Sequence, residues 1–210
     1  MSERRSRGFY ERRVFPWIND TLAGRAFADI RREALSDARG RVVEIGFGSG
    51  MNLPYYPDAV TSIVAVEPNS GMLDRAGRRI AASRIPVVML ENPAERLRLD
   101  SGSMDTAVSV LTLCSVGDPA AVLAELRRVL TPNGRLIVVE HGLSDEPNVA
   151  KWQHRLNSVQ NVVACGCHLT RSPKALVEHA GFRFERVRQF CVPGAPRTHG
   201  WVTVGTAVPA

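Results

Sequence analysis

The chain has 210 residues, 44% of them hydrophobic, and a formal net charge of +6, enough for a domain with a sizeable core. It contains no run of about 18 or more apolar residues, so no membrane-spanning segment is expected. The basic N-terminus lacks the apolar core of a secretory signal, so the chain is expected to be cytoplasmic and its four cysteines are not expected to form a disulfide framework.

Residues 1–13 hold five arginines against Glu3 and Glu11. Such a tail either touches nucleic acid or anionic lipid or is a solvated terminus. It shows no aromatic interleaving, so no nucleic-acid partner is expected. Trp17, Leu22, Phe27, Ile30 and Leu35 recur at roughly helical spacing, which predicts an N-terminal helical cap over 14–38. Strands and helices then alternate. "RVVEI" (41–45), "TSIVAVE" (61–67), "IPVVML" (85–90), "DTAVSVLTL" (105–113) and "RLIVVE" (135–140) read as strands. A helix over 69–83 has Asn69 or Ser70 as its N-cap, and one over 118–130 has Asp118 as cap, Pro119 first and "TPNG" as its stop. A moderately amphipathic helix over 148–164, a Ser-capped helix in "SPKALVEHAGF" and two strands, "RFERVRQFCV" and "GWVTVGTAV", complete the chain. This order predicts an α/β fold with a doubly wound, mostly parallel sheet and an antiparallel addition at one edge. With no linker or repeat, residues 1–210 read as a single domain, with a tail (1–13), a cap (14–38) and a core (41–208).

The first strand runs into Gly46, Gly48 and Gly50. Glycine-rich strand-to-helix turns let a ligand approach the backbone closely. The spacing departs from G-x-G-x-x-G, because Met51 stands where the third glycine belongs, and no G-K-[ST] follows. Glu44 precedes the turn, where an acid repels a pyrophosphate and favours a cationic ligand. Glu67 ends the next strand 21 residues after Gly46, where a carboxylate can accept both hydroxyls of a ribose.

Glu44 to Gly50 followed by Glu67 resembles motif I and the following acid of the class I S-adenosylmethionine-dependent methyltransferases, and the resemblance runs from residue 41 to about 208. It implies a Rossmann-like sheet of seven strands with the last inserted antiparallel. It also implies S-adenosyl-L-methionine as cofactor, S-adenosyl-L-homocysteine as product, and a cofactor site at Glu44, Gly46, Gly48, Gly50, Asn52, Glu67, Pro68, Ala94, Glu95, Leu111 and Thr112. Asn52 is expected near the amino-acid end of the cofactor, while Tyr55 and Tyr56 serve either core or pocket wall. In "ENPAERL" (91–97) Pro93 replaces the acid that often binds the adenine amine, which leaves adenine to the backbone at Ala94 and Glu95. The Glu95 side chain reads equally as an exposed loop acid.

Ligands of open α/β sheets sit beyond the carboxyl ends of the strands. The fourth strand ends at "LTLCSVGD" and the fifth at "VVEHG", so Cys114 and His141 are expected to face the methyl-transfer region as candidate catalytic residues. A buried small hydrophobe and a hydrogen-bonded core histidine are the plainer alternatives. "LTLCSV", "VEHG" and "GCHLTR" together are similar to the animal thiol S-methyltransferases of the methyltransferase-like group and their bacterial relatives, while phospholipid and quinone methyltransferases share parts of these motifs. The resemblance implies a small thiol or sulfide as acceptor, with His168 and Arg171 as candidate substrate-binding residues; the alternative for both is a structural loop tie. The membrane anchor of the animal enzymes is not carried over.

Methyl transfer from a sulfonium is an in-line displacement to which the protein contributes orientation and a dry pocket. A thiol with a pKa of about 8.5 is partly ionised near neutral pH and needs only mild help, such as His141 or His168 accepting a proton. Cys165, Cys167 and His168 offer three crowded ligands where a structural zinc site needs four, so no metal is expected. A soft metalloid on Cys114, Cys165 and Cys167, a phospholipid-amine or quinone acceptor, and a non-catalytic nucleotide-binding domain remain the alternatives.

Overall fold

A computed structural model of the protein describes residues 27–210, apart from the side chains of Ser70 and Leu73. The basic tail and most of the helix expected over 14–38 lie outside the described residues. What is described of that helix is α1 (Ala28–Leu35), which buries Arg31, Ala34 and Leu35.

Seven strands form one sheet: β1 (Gly40–Ile45), β2 (Val60–Val66), β3 (Val87–Leu90), β4 (Met104–Val110), β5 (Leu130–His141), β6 (Phe182–Cys191) and β7 (Trp201–Pro209). Their order is β3-β2-β1-β4-β5-β7-β6. The first five run parallel, and β7 enters antiparallel between β5 and β6. The helices are α2 (Ser70–Ala81), α3 (Pro119–Val129), α4 (Pro147–Val163), α5 (Pro173–His179) and the single turn α6 (Arg197–Gly200). This is the Rossmann-like arrangement that the alternation of elements implied. Among the described residues no helix is long and apolar enough to cross a membrane.

Both faces of the parallel strands are covered, which is why those strands read as continuous apolar runs. Alternate residues go to opposite faces. Val42 packs with Leu35, Tyr56, Ile63 and Ile137 on the α1 side, while Val43 and Ile45 pack with Leu123, Leu126 and Val138 on the α3 side. By that alternation Glu44 faces the α1 side.

The boundaries differ from the sequence reading at physically intelligible points. β4 stops at Val110 instead of running to Leu113, because Leu111 takes a left-handed conformation (φ 55°) and turns the chain off the ladder. β3 begins at Val87, because Pro86 lacks an N–H; its carbonyl still accepts from Ile63 at 2.9 Å. β5 begins early, at Leu130, with an irregularity before Arg135 that accommodates "TPNG". The caps are as expected: Asn69 accepts from Gly71 N–H, Asp118 from Ala120 and Ala121, and Ser172 from Ala175. A role that polarity conceals belongs to fully buried Gln153 of α4, which donates to the carbonyls of Gly142 and Thr198 and accepts from Ser144 N–H.

The glycine turn sets a measurable constraint. Gly46 has φ 62°, and a Cβ on it would collide with the Thr112 side chain; Gly102 has φ 65° with nothing within 4 Å. Gly46→Ala is expected to cost roughly 2–4 kcal/mol of unfolding free energy, from backbone strain plus overpacking. Gly102→Ala is expected to cost only the backbone part, about 1–2 kcal/mol. Denaturant melts of the two variants check the difference.

Candidate active site

The strand order reverses between β1 and β4, and ligands of such sheets bind at that reversal. A cleft of about 390 Å³ opens there. Taken along the sheet, the loops that line it follow β3 (Pro93, Ala94, Glu95), β2 (Glu67, Pro68, Asn69), β1 (Gly46 to Ser49, Met51 and Asn52) and β4 (Leu111, Thr112 and Ser115 to Gly117). The loops after β3 and β4 also meet each other, Glu95 Oε1 accepting from Asp118 N–H at 3.4 Å. Gly46, Gly48, Asn52, Glu67, Pro68, Ala94, Glu95, Leu111 and Thr112 therefore all border one space. Of the residues expected to touch the cofactor, Glu44 and Gly50 do not line it; the Gly50 backbone packs against the Phe47 and Leu53 side chains.

Glu44 lies beneath the turn, 1% exposed. It accepts from Asn52 Nδ2 at 2.8 Å and Tyr56 Oη at 2.7 Å, so Tyr56 is core. Burial raises its pKa to about 7, against those two hydrogen bonds and the charge of Arg31. The expectation of direct contact is corrected: a side chain on the α1 face of β1 points into the sheet-to-helix layer and reaches the cleft only through Asn52. The same amide is held from the other side by Arg31 Nε, which donates to Asn52 Oδ1 at 2.9 Å. Arg31 lines the cleft and is buried. Sequence reasoning missed it because "DIRREAL" carries three charged residues besides the aspartate and helical spacing does not say which of them turns inward.

Glu67 takes Gly48 N–H at 2.9 Å on one carboxylate oxygen and Asn69 N–H at 2.8 Å on the other. Burial raises its pKa and these bonds oppose the rise. Glu140 near the end of β5 is fully buried and accepts from Ser109 Oγ, Thr112 N–H and Leu113 N–H at 2.7 to 3.0 Å. It fixes the turn at Leu111, a role that its setting in "VVEHG" did not disclose.

Cys114 and His141 do not line the cleft. They meet next to it with Cys167, which follows α4. His141 Nε2 lies 2.9 Å from Cys167 Sγ, and Cys114 Sγ lies 3.3 Å from the Oγ of Ser115, a cleft residue. Burial lowers the basicity of His141, but contact with the Cys167 thiol and the Glu140 carboxylate leaves its pKa above the ordinary value. The Cys167 thiol is pushed well up by its hydrogen bond with Cys114 and by burial. The imidazole expected to face the acceptor is thus engaged with sulfur instead, because Cys167 returns after α4 to the end of β5.

His168 and Arg171 do not line the cleft either, and the tie proposed as their alternative is what they form. Arg171 Nη1 donates to the carbonyls of Leu113 (2.6 Å) and Val116 (2.8 Å). His168 N–H donates to Cys114 O at 2.9 Å, and its ring sits against the side-chain amides of Asn157 and Asn161. Burial and Arg171 lower its pKa. Cys165, left-handed at φ 49°, is the residue of this segment that reaches the cleft.

A methyltransferase-domain family model matches residues 43–138. The chain is 33% identical over 186 residues to thiol S-methyltransferase TMT1B of Rattus norvegicus, covering 80% of this chain and 75% of that one. It is 27% identical over 175 residues to phosphatidylethanolamine N-methyltransferase of Cereibacter sphaeroides, covering 81% and 79%. A Thermotoga maritima crystal structure described as a possible histamine N-methyltransferase shares the fold, with a TM-score of 0.69 at 24% identity over 96% of this chain and 98% of that one. The chain belongs to the class I S-adenosylmethionine-dependent methyltransferases, and its cofactor is S-adenosyl-L-methionine. The cleft suits that group: its turn presents backbone that glycine keeps open, and a buried acid, Glu67, follows β2 on its lining.

Glu44 gives the site a pH signature. Its pKa stands near 7 in the fold against 4.5 ordinarily, so the folded state holds the extra proton between those values. Stability therefore falls as pH rises through that window. Glu44→Gln is expected to flatten the fall by up to about 1.4 kcal/mol per pH unit, read from urea melts at about pH 5, 6 and 7.

Proposed function

We propose that this methyltransferase places the methyl group on the sulfur of a small, apolar thiol. The observation that carries the reading is the lining of the cleft. Among the described residues its carboxylates are Glu67 and Glu95, on the loops after β2 and β3, while the wall built by the loop after β4 and by Cys165 contains neither acid nor imidazole. An ammonium acceptor needs a base before it is nucleophilic, whereas a thiol with a pKa of about 8.5 ionises with little help. Likeness to a thiol S-methyltransferase over four-fifths of the chain supports the same choice.

In this reading the cofactor supplies an electrophilic methyl on a cationic sulfur, and the chain's own residues orient and enclose. The free lone pairs of Glu67 accept the ribose hydroxyls. The turn from Gly46 to Gly50 brings backbone close to the cofactor. Asn52, clamped between Glu44 and Arg31, meets the amino-acid end, and the Arg31 guanidinium offsets a carboxylate there. Ala94 and Glu95 face adenine through backbone groups, and Pro68, Leu111 and Thr112 are wall. His168 and Arg171 act indirectly, by holding the wall from Leu113 to Val116 in place.

Two measurements check this. Glu67→Ala is expected to weaken S-adenosylmethionine binding roughly 10- to 100-fold by calorimetry, the loss of charge-assisted hydrogen bonds; an unchanged Kd removes the ribose role. Release of S-adenosylhomocysteine is expected with small alkyl thiols. Turnover of lipid amines or quinols without thiol turnover replaces the acceptor.

A further inference from the structure

The cleft accounts for Ser115 and Cys165 and leaves unexplained the polar cluster beside them. Cys114 follows β4, His141 ends β5 and Cys167 follows α4, yet one ligand atom from each lies within 4.8 Å of the other two. Both cysteines are free and buried. Gln160 Nε2 donates to Cys167 Sγ at 3.6 Å. The second ring nitrogen of His141, Nδ1, is buried with no hydrogen-bond partner. Packing alone would be served by three small apolar side chains.

Two sulfurs and one imidazole nitrogen are a donor set for zinc. Bonds of about 2.3 Å to sulfur and about 2.0 Å to nitrogen at a tetrahedral ion separate the ligand atoms by roughly 3.5–3.8 Å. The cluster is already within that reach, and the His141–Cys167 pair at 2.9 Å must open by roughly half an ångström to admit an ion. The Gln160 amide on sulfur is the kind of outer contact that steadies a metal-bound thiolate. Three protein ligands leave one position open, as in catalytic zinc sites, and Cys114 adjoins Ser115 on the cleft wall.

We propose that Cys114, His141 and Cys167 hold a zinc ion whose fourth position takes the acceptor as a thiolate. The three-residue site stands on its own geometry; the identity of the fourth ligand rests on the thiol reading above. Metal binding releases the two cysteine protons to solvent, and the acceptor loses its thiol proton on joining the ion. The thiolate's electron pair forms the new carbon–sulfur bond, the methyl's bond to the sulfonium breaks, and that pair remains on the cofactor sulfur. The neutral thioether product is a weaker ligand and departs. Activation by the metal also explains a cleft wall with no base.

The probe is cobalt(II) added to the full chain, metal-stripped and kept reduced. A single equivalent is expected to produce the charge-transfer and visible bands of tetrahedral thiolate-bound cobalt, displaced by zinc. Cys114→Ser and Cys167→Ser are each expected to lose on the order of 100-fold in affinity, and Cys191→Ser, outside the cluster, none. Wild-type protein giving no such bands, or bands that survive both ligand substitutions, overturns the site whether or not a variant folds. A small alkyl thiol is expected to shift the bands and an alkylamine to leave them. Thiol methylation by stripped protein at the loaded rate overturns the zinc proposal and leaves the thiol reading intact. Cobalt bound through Cys114, His141 and Cys167 without any thiol turnover supports the site and removes the thiol acceptor.

Discussion

At the carboxyl edge of a parallel sheet the ladder ends, and backbone N–H groups in the following turns lose their partners. In this chain buried glutamates supply the missing acceptors. Glu67 holds the amides of Gly48 and Asn69, and Glu140 holds those of Thr112 and Leu113 together with the Ser109 hydroxyl. Glu44 does the same for side chains, receiving Asn52 and Tyr56. Burial raises the pKa of all three acids, and a buried carboxylate is tolerated only where such donors converge on it. The loops that shape the cleft after β1, β2 and β4 are therefore tied to carboxylates, and the geometry of the site follows from that.

The wall after β4 shows the consequence most fully. From inside, Glu140 fixes the amides of Thr112 and Leu113, while Thr112 Oγ1 reaches the carbonyl of Ile45 at 3.2 Å. From outside, Arg171 takes the carbonyls of Leu113 and Val116, and His168 N–H takes that of Cys114. Donors and acceptors of this short segment are satisfied by three distant parts of the chain. An in-line displacement depends on holding two reactants at a fixed angle and distance, and a wall over-determined in this way can do so without a charged group of its own.

What was legible in the sequence was local. The turn at Gly46, Gly48 and Gly50 follows from positive φ at all three, and the offset to Glu67 follows from the length of one strand–turn–strand unit. The three helix caps were legible for the same reason. What was not legible depends on which segments meet across the sheet. Arg31 is a cleft residue because α1 packs against β5, β7 and the turn at Leu53–Tyr55, and nothing within "DIRREAL" records that. His141 ends β5 and Cys114 lies in the turn after β4, but neither position records that Cys167 returns to meet them after α4. Arg171 was readable as either ligand or tie; only the positions of the Leu113 and Val116 carbonyls separate the two.

These commitments constrain the chemistry. The buried acids are already engaged with loop donors, and His141 is engaged with sulfur, so on the acceptor side the cleft lining offers, among the described residues, no base with an open face. An acceptor that must lose a proton to become nucleophilic has to bring a low pKa with it or find activation just beyond the wall. Thiols meet the first condition, and the sulfur–imidazole cluster beside Ser115 is placed to meet the second. Amines meet neither, since their protons are held several units above neutrality and a cationic cofactor in the same cleft raises no base against them. The proposed choice of sulfur thus follows from how the carboxylates that build the site have been used.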